Sequence, residues 1–153
     1  MVIQIDSREK DRAIRKIVEE FDRRGVKHPV SKLMVGDYMN YDNPRLIVDR
    51  KQNLSEVCSN VCQGHERFRN ELKRARENEI RLIILVEHGR GIHCLEDVIW
   101  WNNPRGGKSM QGEVLYKVMK TQERKYGIKY LFCDKRQTGR RIIEILSGGS
   151  HDI

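Results

Sequence analysis

Ile80-Arg81-Leu82-Ile83-Ile84-Leu85-Val86 is a seven-residue run interrupted by a single charge. Unbroken apolar character over that length, rich in β-branched residues, is what a strand carries when both of its faces are covered. A strand with no wet face requires helices on either side of its sheet, and the flanking segments supply them. Immediately upstream, Leu54 to Cys62 puts Leu54, Val57, Cys58 and Val61 on one helical face, and Glu66 to Asn78 forms a very polar helix beyond Gly64. Downstream come a short helix at Leu95 to Trp101 and a Gly-, Asn- and Pro-bearing loop at Asn102 to Gly112. A helix from Val114 to Tyr126, a strand from Lys129 to Cys133 and a last helix from Gly139 to Leu146 follow.

Towards the N-terminus, Val2 to Ile5 alternates like a strand that ends at Asp6. Ala13, Ile14, Ile17, Val18 and Phe21 recur at helical spacing between Lys10 and Arg24, and Gly25 stops that helix. Pro29 to Val35 and Arg45 to Arg50 read as two strands of a hairpin, joined by the breaker Tyr41-Asp42-Asn43-Pro44. Strands alternating with helices around one doubly covered strand predict an α/β fold: a three-layer α/β/α sandwich around a mixed central sheet. There is no internal repeat. One domain is expected over residues 1–147, with a flexible C-terminal tail over 148–153.

Bulk composition narrows the function. No stretch of about 18 apolar residues is present, so no membrane-spanning helix is expected. Met1 to Asp6 has neither a basic leader nor a long apolar stretch and reads as a first strand, which makes the cytoplasm the expected location. Thirty Lys and Arg against twenty-two Asp and Glu give a net charge of +8, which attracts polyanions, nucleic acid foremost. The four cysteines, Cys58, Cys62, Cys94 and Cys133, contain no C-x-x-C pair. Although Cys58, Cys62 and His65 fall at helical spacing, the thiols are expected to fill a buried helix face rather than hold zinc.

The chemistry concentrates in three acids at strand ends or turns: Asp6, Asp37 and Asp49. In Leu46-Ile47-Val48-Asp49-Arg50-Lys51 an apolar strand suddenly delivers three charges. Asp49 and Lys51 are two apart and therefore point to the same face of a strand. A hairpin brings Asp37, after Gly36, beside Asp49. Two convergent carboxylates suit a hard divalent cation such as Mg²⁺, and a neighbouring ammonium completes a phosphodiesterase. Acid, about a dozen residues, then acid-x-Lys is the pattern of the PD-(D/E)xK nuclease superfamily. Each residue alone has a plainer explanation: a turn aspartate, a solvated strand end, a surface ion pair between Asp6 and Arg8.

The ordered set is more specific. Ile5-Asp6-Ser7-Arg8-Glu9, Gly36-Asp37-Tyr38, Val48-Asp49-Arg50-Lys51, Arg67-Phe68-Arg69-Asn70-Glu71-Leu72 and Ile83-Ile84-Leu85-Val86-Glu87 together resemble the XPF/Hef-type structure-specific nuclease domain, over residues 2 to 146. The resemblance implies that the three-layer α/β/α sandwich is restriction-endonuclease-like, that Asp37 and Asp49 are metal ligands and that Lys51 is the catalytic base or water-positioning group. It makes Asp6 an auxiliary carboxylate, and Arg8 and Arg50 phosphate ligands. Two departures stand out. The family's Glu is Asp49 here, and its last Asp falls on Ser55, with Glu56 next to it as a substitute.

On the polar helix, Lys73, Arg74 and Arg76 are expected to form a solvated face with the intervening glutamates, and Arg67 and Arg69 to contact phosphates. Trp100 and Trp101, ahead of Arg105 and Lys108, suggest a loop that stacks and clamps unpaired bases, with at least one tryptophan in the core instead. These features predict an endodeoxyribonuclease using Mg²⁺ or Mn²⁺ and preferring forked, flapped or junction DNA. The alternatives are a resolvase or restriction-like enzyme on the same fold, and a non-catalytic DNA-binding or scaffolding subunit. Retention of Asp37, Asp49 and Lys51 favours activity. The tandem helix-hairpin-helix modules usual in cellular members have no counterpart in the sequence. A homodimer or a partner protein is therefore expected to supply DNA-structure specificity, in a nucleoid-associated or phage-encoded setting in a bacterial host.

Overall fold

The computed structural model describes residues 1–63 and 65–148; Gly64 and residues 149–153, which hold most of the expected tail, lie outside the described residues. Six strands form one mixed sheet: β1 (Ile3–Asp6), β2 (Val30–Ser31), β3 (Tyr38–Asn40), β4 (Asn43–Lys51), β5 (Arg81–Glu87) and β6 (Lys129–Cys133), in the order β2-β1-β3-β4-β5-β6. β3 runs antiparallel to both β1 and β4, while β4, β5 and β6 are parallel. Five helices cover the sheet: α1 (Arg15–Arg23), α2 (Leu54–Cys62), α3 (His65–Glu77), α4 (Gly112–Tyr126) and α5 (Thr138–Leu146).

The run that anchors the sequence reading is β5, an interior strand one in from the β6 edge, and its side chains divide between two cores. Leu82, Ile84 and Val86 join Leu54, Val57, Phe68, Leu72, Leu115 and Met119 beneath α2, α3 and α4. Ile83 and Leu85 join Ile17, Phe21, Ile142 and Ile145 beneath α1 and α5. All five of these β5 residues are fully buried, and burial of such a side chain contributes roughly 1.5–3 kcal/mol. The three-layer α/β/α sandwich around a mixed sheet is thus present as expected. Of the two tryptophans, Trp101 packs in the core and Trp100 stays largely exposed. Among the described residues no helix is long and apolar enough to cross a membrane.

Local boundaries differ from expectation where loops imitate strands. Only Val30 and Ser31 of the Pro29–Val35 segment pair with the sheet, in parallel with β1 at its edge. The hairpin partner of β4 is Tyr38–Asn40. The backbone leaves the ladder because the Leu33 N–H donates to the Asp6 carboxylate at 2.8 Å. Leu33 and Val35 are nevertheless buried, which gives a loop the alternation of a strand. The first helix begins at Arg15 rather than Lys10, after a stretch of turns, and Leu95–Trp100 is a 3-10 helix.

These directions have one consequence for the site. The ends of β1, β4, β5 and β6 and the start of β3 all lie at the same end of the sheet. Asp6, Asp37, Asp49 to Lys51 and Glu87 therefore gather there from segments far apart in sequence.

Candidate active site

Asp37 opens β3 instead of closing a preceding strand. Gly36 before it has φ +69, a left-handed conformation that favours glycine, and a Cβ there would meet the Ile47 Cγ2 at 2.5 Å. The tight approach lets the Asp37 N–H donate to the Val48 carbonyl at 2.9 Å. In return, Asp37 Oδ2 accepts from the Arg50 N–H at 2.7 Å. The Asp37 side chain is thereby locked against the strand carrying Asp49.

Alternation along β4 sends Asp49 and Lys51 towards the α2–α3 side. There the Lys51 ammonium lies 3.1 Å from Asp49 Oδ2 and 5.0 Å from the centre of the Phe68 ring. The Asp37 and Asp49 carboxyls line the same cavity, and burial followed by repulsion from Asp49 and Glu9 pushes Asp37 well above the ordinary carboxylate range. Burial alone lowers the Lys51 ammonium, but Asp49, Glu71 and Glu56 outweigh it, so Lys51 is held more firmly protonated than usual. Asp49 Oδ2 is buried without a hydrogen bond of good geometry, Lys51 being its ionic neighbour.

Asp37, Asp49 and Lys51 line one cavity of about 280 Å³ with Arg8, Glu9 and Glu56. Crowded carboxylates, one raised in pKa and one with an under-used buried oxygen, fit a hard cation whose remaining ligands are water and phosphate oxygen. Among the described residues no group of three or more His, Cys, Asp or Glu is poised around one point, so the pair Asp37 and Asp49 is what the chain offers. A larger groove of about 370 Å³ between α3 and α4 is mostly apolar and has no carboxylate in its wall.

The remaining predicted residues separate. Asp6 is fully buried and does not line the cavity. Its oxygens accept from Arg8 Nε at 2.7 Å and from the Leu33 N–H at 2.8 Å. Burial raises its pKa, but these hydrogen bonds outweigh it and hold Asp6 ionised. Asp6 thus steers Arg8, whose side chain is 53% exposed and reaches the cavity. Arg50 also lines the cavity, but its side chain leaves β4 on the opposite face from Asp49 and its guanidinium is engaged by two carboxylates. Its Nε lies 3.0 Å from Glu9 and its Nη1 2.7 Å from Glu87, with the Arg50 side chain only 6% exposed. Ser55 faces a different pocket, whereas Glu56 lines the catalytic one while accepting from the Gln52 N–H at 2.7 Å.

On α3, Arg67, Glu71 and Arg74 share one stripe. Glu71 interacts with Asp49, Lys51 and Arg8, which sets that stripe beside the cavity. Arg69 instead lines the apolar groove towards α4. Arg74, expected to be merely solvated, donates to the Met34 carbonyl at 3.1 Å and lies on the stripe that serves the site. Glu9, Glu71 and Glu87 were missed as site residues. Glu71 is pushed up to about 7, by burial first and Asp49 second, and its Oε1 is buried without a partner. The Cys58 and Cys62 sulfurs lie 4.0 Å apart, but His65 turns into the α3–α4 groove, so the three form no metal cluster.

A family model described as the ERCC4 domain matches residues 5–146. No curated protein matches the sequence. Among solved structures, XPF from Aeropyrum pernix superposes with a TM-score of 0.71 at 23% identity over 98% of this chain. The same protein in complex with DNA gives a TM-score of 0.69 at 22% identity over 99% of this chain. The matched region spans 65% and 66% of those two chains respectively.

Proposed function

From the premise that the chain belongs to the ERCC4 domain family, and is an XPF-type nuclease domain, we propose that it is a divalent-metal-dependent DNA endonuclease acting on forked, flapped or junction DNA. The observation carrying this proposal is the convergence of Asp37 and Asp49 on one cavity that also holds Lys51, whose ammonium lies 3.1 Å from Asp49. Asp37 and Asp49 would hold Mg²⁺ or Mn²⁺. When bound, that cation supplies Lewis-acid polarisation of the phosphodiester and makes water a stronger nucleophile.

The protein's own groups do the rest. Lys51, kept protonated by Asp49, serves as a donor that orients the attacking water and stabilises charge on the phosphoryl oxygens; it is poorly suited to be the base. Arg8, aimed by Asp6, offers its exposed guanidinium to a phosphate beside the cut. Arg50 acts from behind: its backbone N–H positions Asp37, and its side chain ties β4 to Glu9 and Glu87. Arg67 and Arg74 extend the basic wall along α3.

A second copy of the chain, or a partner protein, would supply the choice among branched structures. The nucleoid, or phage DNA in a bacterial host, is the setting this activity suits. The deciding experiment incubates end-labelled single-stranded, duplex, forked, flapped and junction DNA with the protein in Mg²⁺, in Mn²⁺ and in chelator. Cleavage in either metal and none in chelator is expected, with branched substrates cut fastest. If no substrate is cut in either metal, the protein is a DNA-binding subunit and the enzymatic proposal fails.

A further inference from the structure

Beside the catalytic cavity, on the α1 side, lies a second one of about 290 Å³. Its wall carries Arg12, Arg15, Lys16 and Lys135, and Ala13 lines both cavities, so the two adjoin across that single small residue. The only carboxylate in the wall is Glu87. Both its oxygens are already engaged, because Arg50, shared with Glu9, lies at 2.7 Å from one and the Thr138 hydroxyl donates at 2.6 Å to the other. Arg15 shares an exposed pair with Glu19 at 3.3 Å. Arg12, Lys16 and Lys135 have no ion-pair partner among the described residues.

Three uncommitted cations therefore converge on a concave wall at the sheet end that holds Asp37 and Asp49. The wall contains no aromatic ring on which a base could stack. Flexible cations without base-reading groups recognise backbone phosphate. We propose that this cavity is a second phosphate-binding site, gripping the DNA backbone close to the bond that is cut, on the sheet face opposite α3. The proposal rests on the nuclease function above and adds to it a defined path for the strand. DNA leaving the catalytic cavity crosses Ala13 and is held between the start of α1 and the turn after β6. Together with Arg67 and Arg74 on the other face, this gives the domain two separate backbone grips.

The test is DNA binding, read by fluorescence anisotropy of labelled duplex and forked DNA in chelator, across a series of salt concentrations. The variant is Arg12→Ala/Lys16→Ala/Lys135→Ala, all exposed positions. Its control, Arg23→Ala/Arg24→Ala/Lys27→Ala, removes the same charge from the far end of α1 and the segment after it. Loss of three phosphate contacts should make the slope of log affinity against log salt shallower by about 2–3, with affinity at 0.1 M salt falling roughly tenfold or more. The control should keep the parental slope. Parental binding by the first variant, or an equal loss in the control, overturns the proposal. Should the triple variant melt early, Lys135→Gln alone carries the test, with an expected slope change of about 0.9. Because binding is read without metal, an inactive parent defeats the nuclease function while leaving this outcome legible.

Discussion

Replacing Arg50 with methionine removes a cation whose side chain is 6% exposed from between Glu9 and Glu87, whose side chains are 8% and 3% exposed. Both carboxylates lose their cation at once, at 3.0 and 2.7 Å, and keep only the hydroxyls of Tyr38 and Thr138 as side-chain donors. Removing one member of a buried ion pair costs about 3–5 kcal/mol, because the charge left behind is uncompensated. In a domain of this size each kcal/mol moves the melting temperature by roughly 2–4 °C, so Arg50→Met should melt about 6–20 °C below the parent. Circular dichroism in chelator at neutral pH reads this directly. Adding Glu87→Gln should recover a substantial part of the loss, since the amide still accepts from Thr138 and only one uncompensated charge then remains. If Arg50→Met melts within about 2 °C of the parent while DNA affinity falls, Arg50 is a phosphate ligand after all.

Other consequences follow from the same geometry. Asp37→Asn removes the Asp37–Asp49 repulsion while leaving an amide oxygen for the Arg50 N–H, so in chelator it should melt about 2–4 °C above the parent. Unlike the parent, it should gain no stability from added Mg²⁺ or Mn²⁺; the reverse pattern would remove Asp37 from the metal pair. Glu71, ionising near 7 in the folded protein against 4.5 ordinarily, binds more protons folded than unfolded between those values. Its contribution to stability is therefore present below pH 4.5 and is lost as pH rises through 7. Glu71→Gln should flatten stability across that window, and identical slopes in variant and parent would refute the assignment. Arg67→Glu and Arg74→Glu should each weaken DNA binding and lower the salt slope by about 0.9 or more, whereas Arg69→Glu, facing α4, should not.

Much of the fold was legible because its signals are local. The apolar run ending at Val86 marked the doubly covered strand β5, and β6 and α2 fall on the expected residues. The Pro29–Val35 segment misled because burial of Leu33 and Val35 in a loop produces the same alternation as a strand. What holds that loop is the Asp6 carboxylate, 27 residues away in sequence and invisible to periodicity. The gathering of Asp37, Asp49 and Lys51 in one cavity was legible from spacing, since Asp49 and Lys51 must share a strand face. The same alternation also sends Arg50 to the other face, a deduction that the family pattern obscured. Glu9, Glu71 and Glu87 stand inside the motifs that carry the family resemblance, but neither spacing nor periodicity assigns them a partner. Only the topology, which draws the ends of β1, β4 and β5 together and lays α3 across them, reveals what they do. Likewise, the placement of Arg69 in the α4 groove and of Arg74 against the Met34 carbonyl depends on the helix's rotation about its own axis, which the packing of Phe68, Leu72 and Ala75 sets.

The most direct test of the metal-centred nuclease is the single-turnover rate at which Asp49→Asn cuts the parent's preferred labelled DNA, in Mg²⁺ and in Mn²⁺. Asparagine keeps the size of Asp49 and removes the charge, and melting curves must first show that the variant folds as the parent does. The expected result is a rate at least about a thousandfold lower in both metals, with DNA affinity in chelator equal to or slightly above the parent's, as a negative charge near the phosphate is gone. Cleavage by the folded variant at the parental rate would place the chemistry elsewhere and contradict the Asp37–Asp49–Lys51 centre.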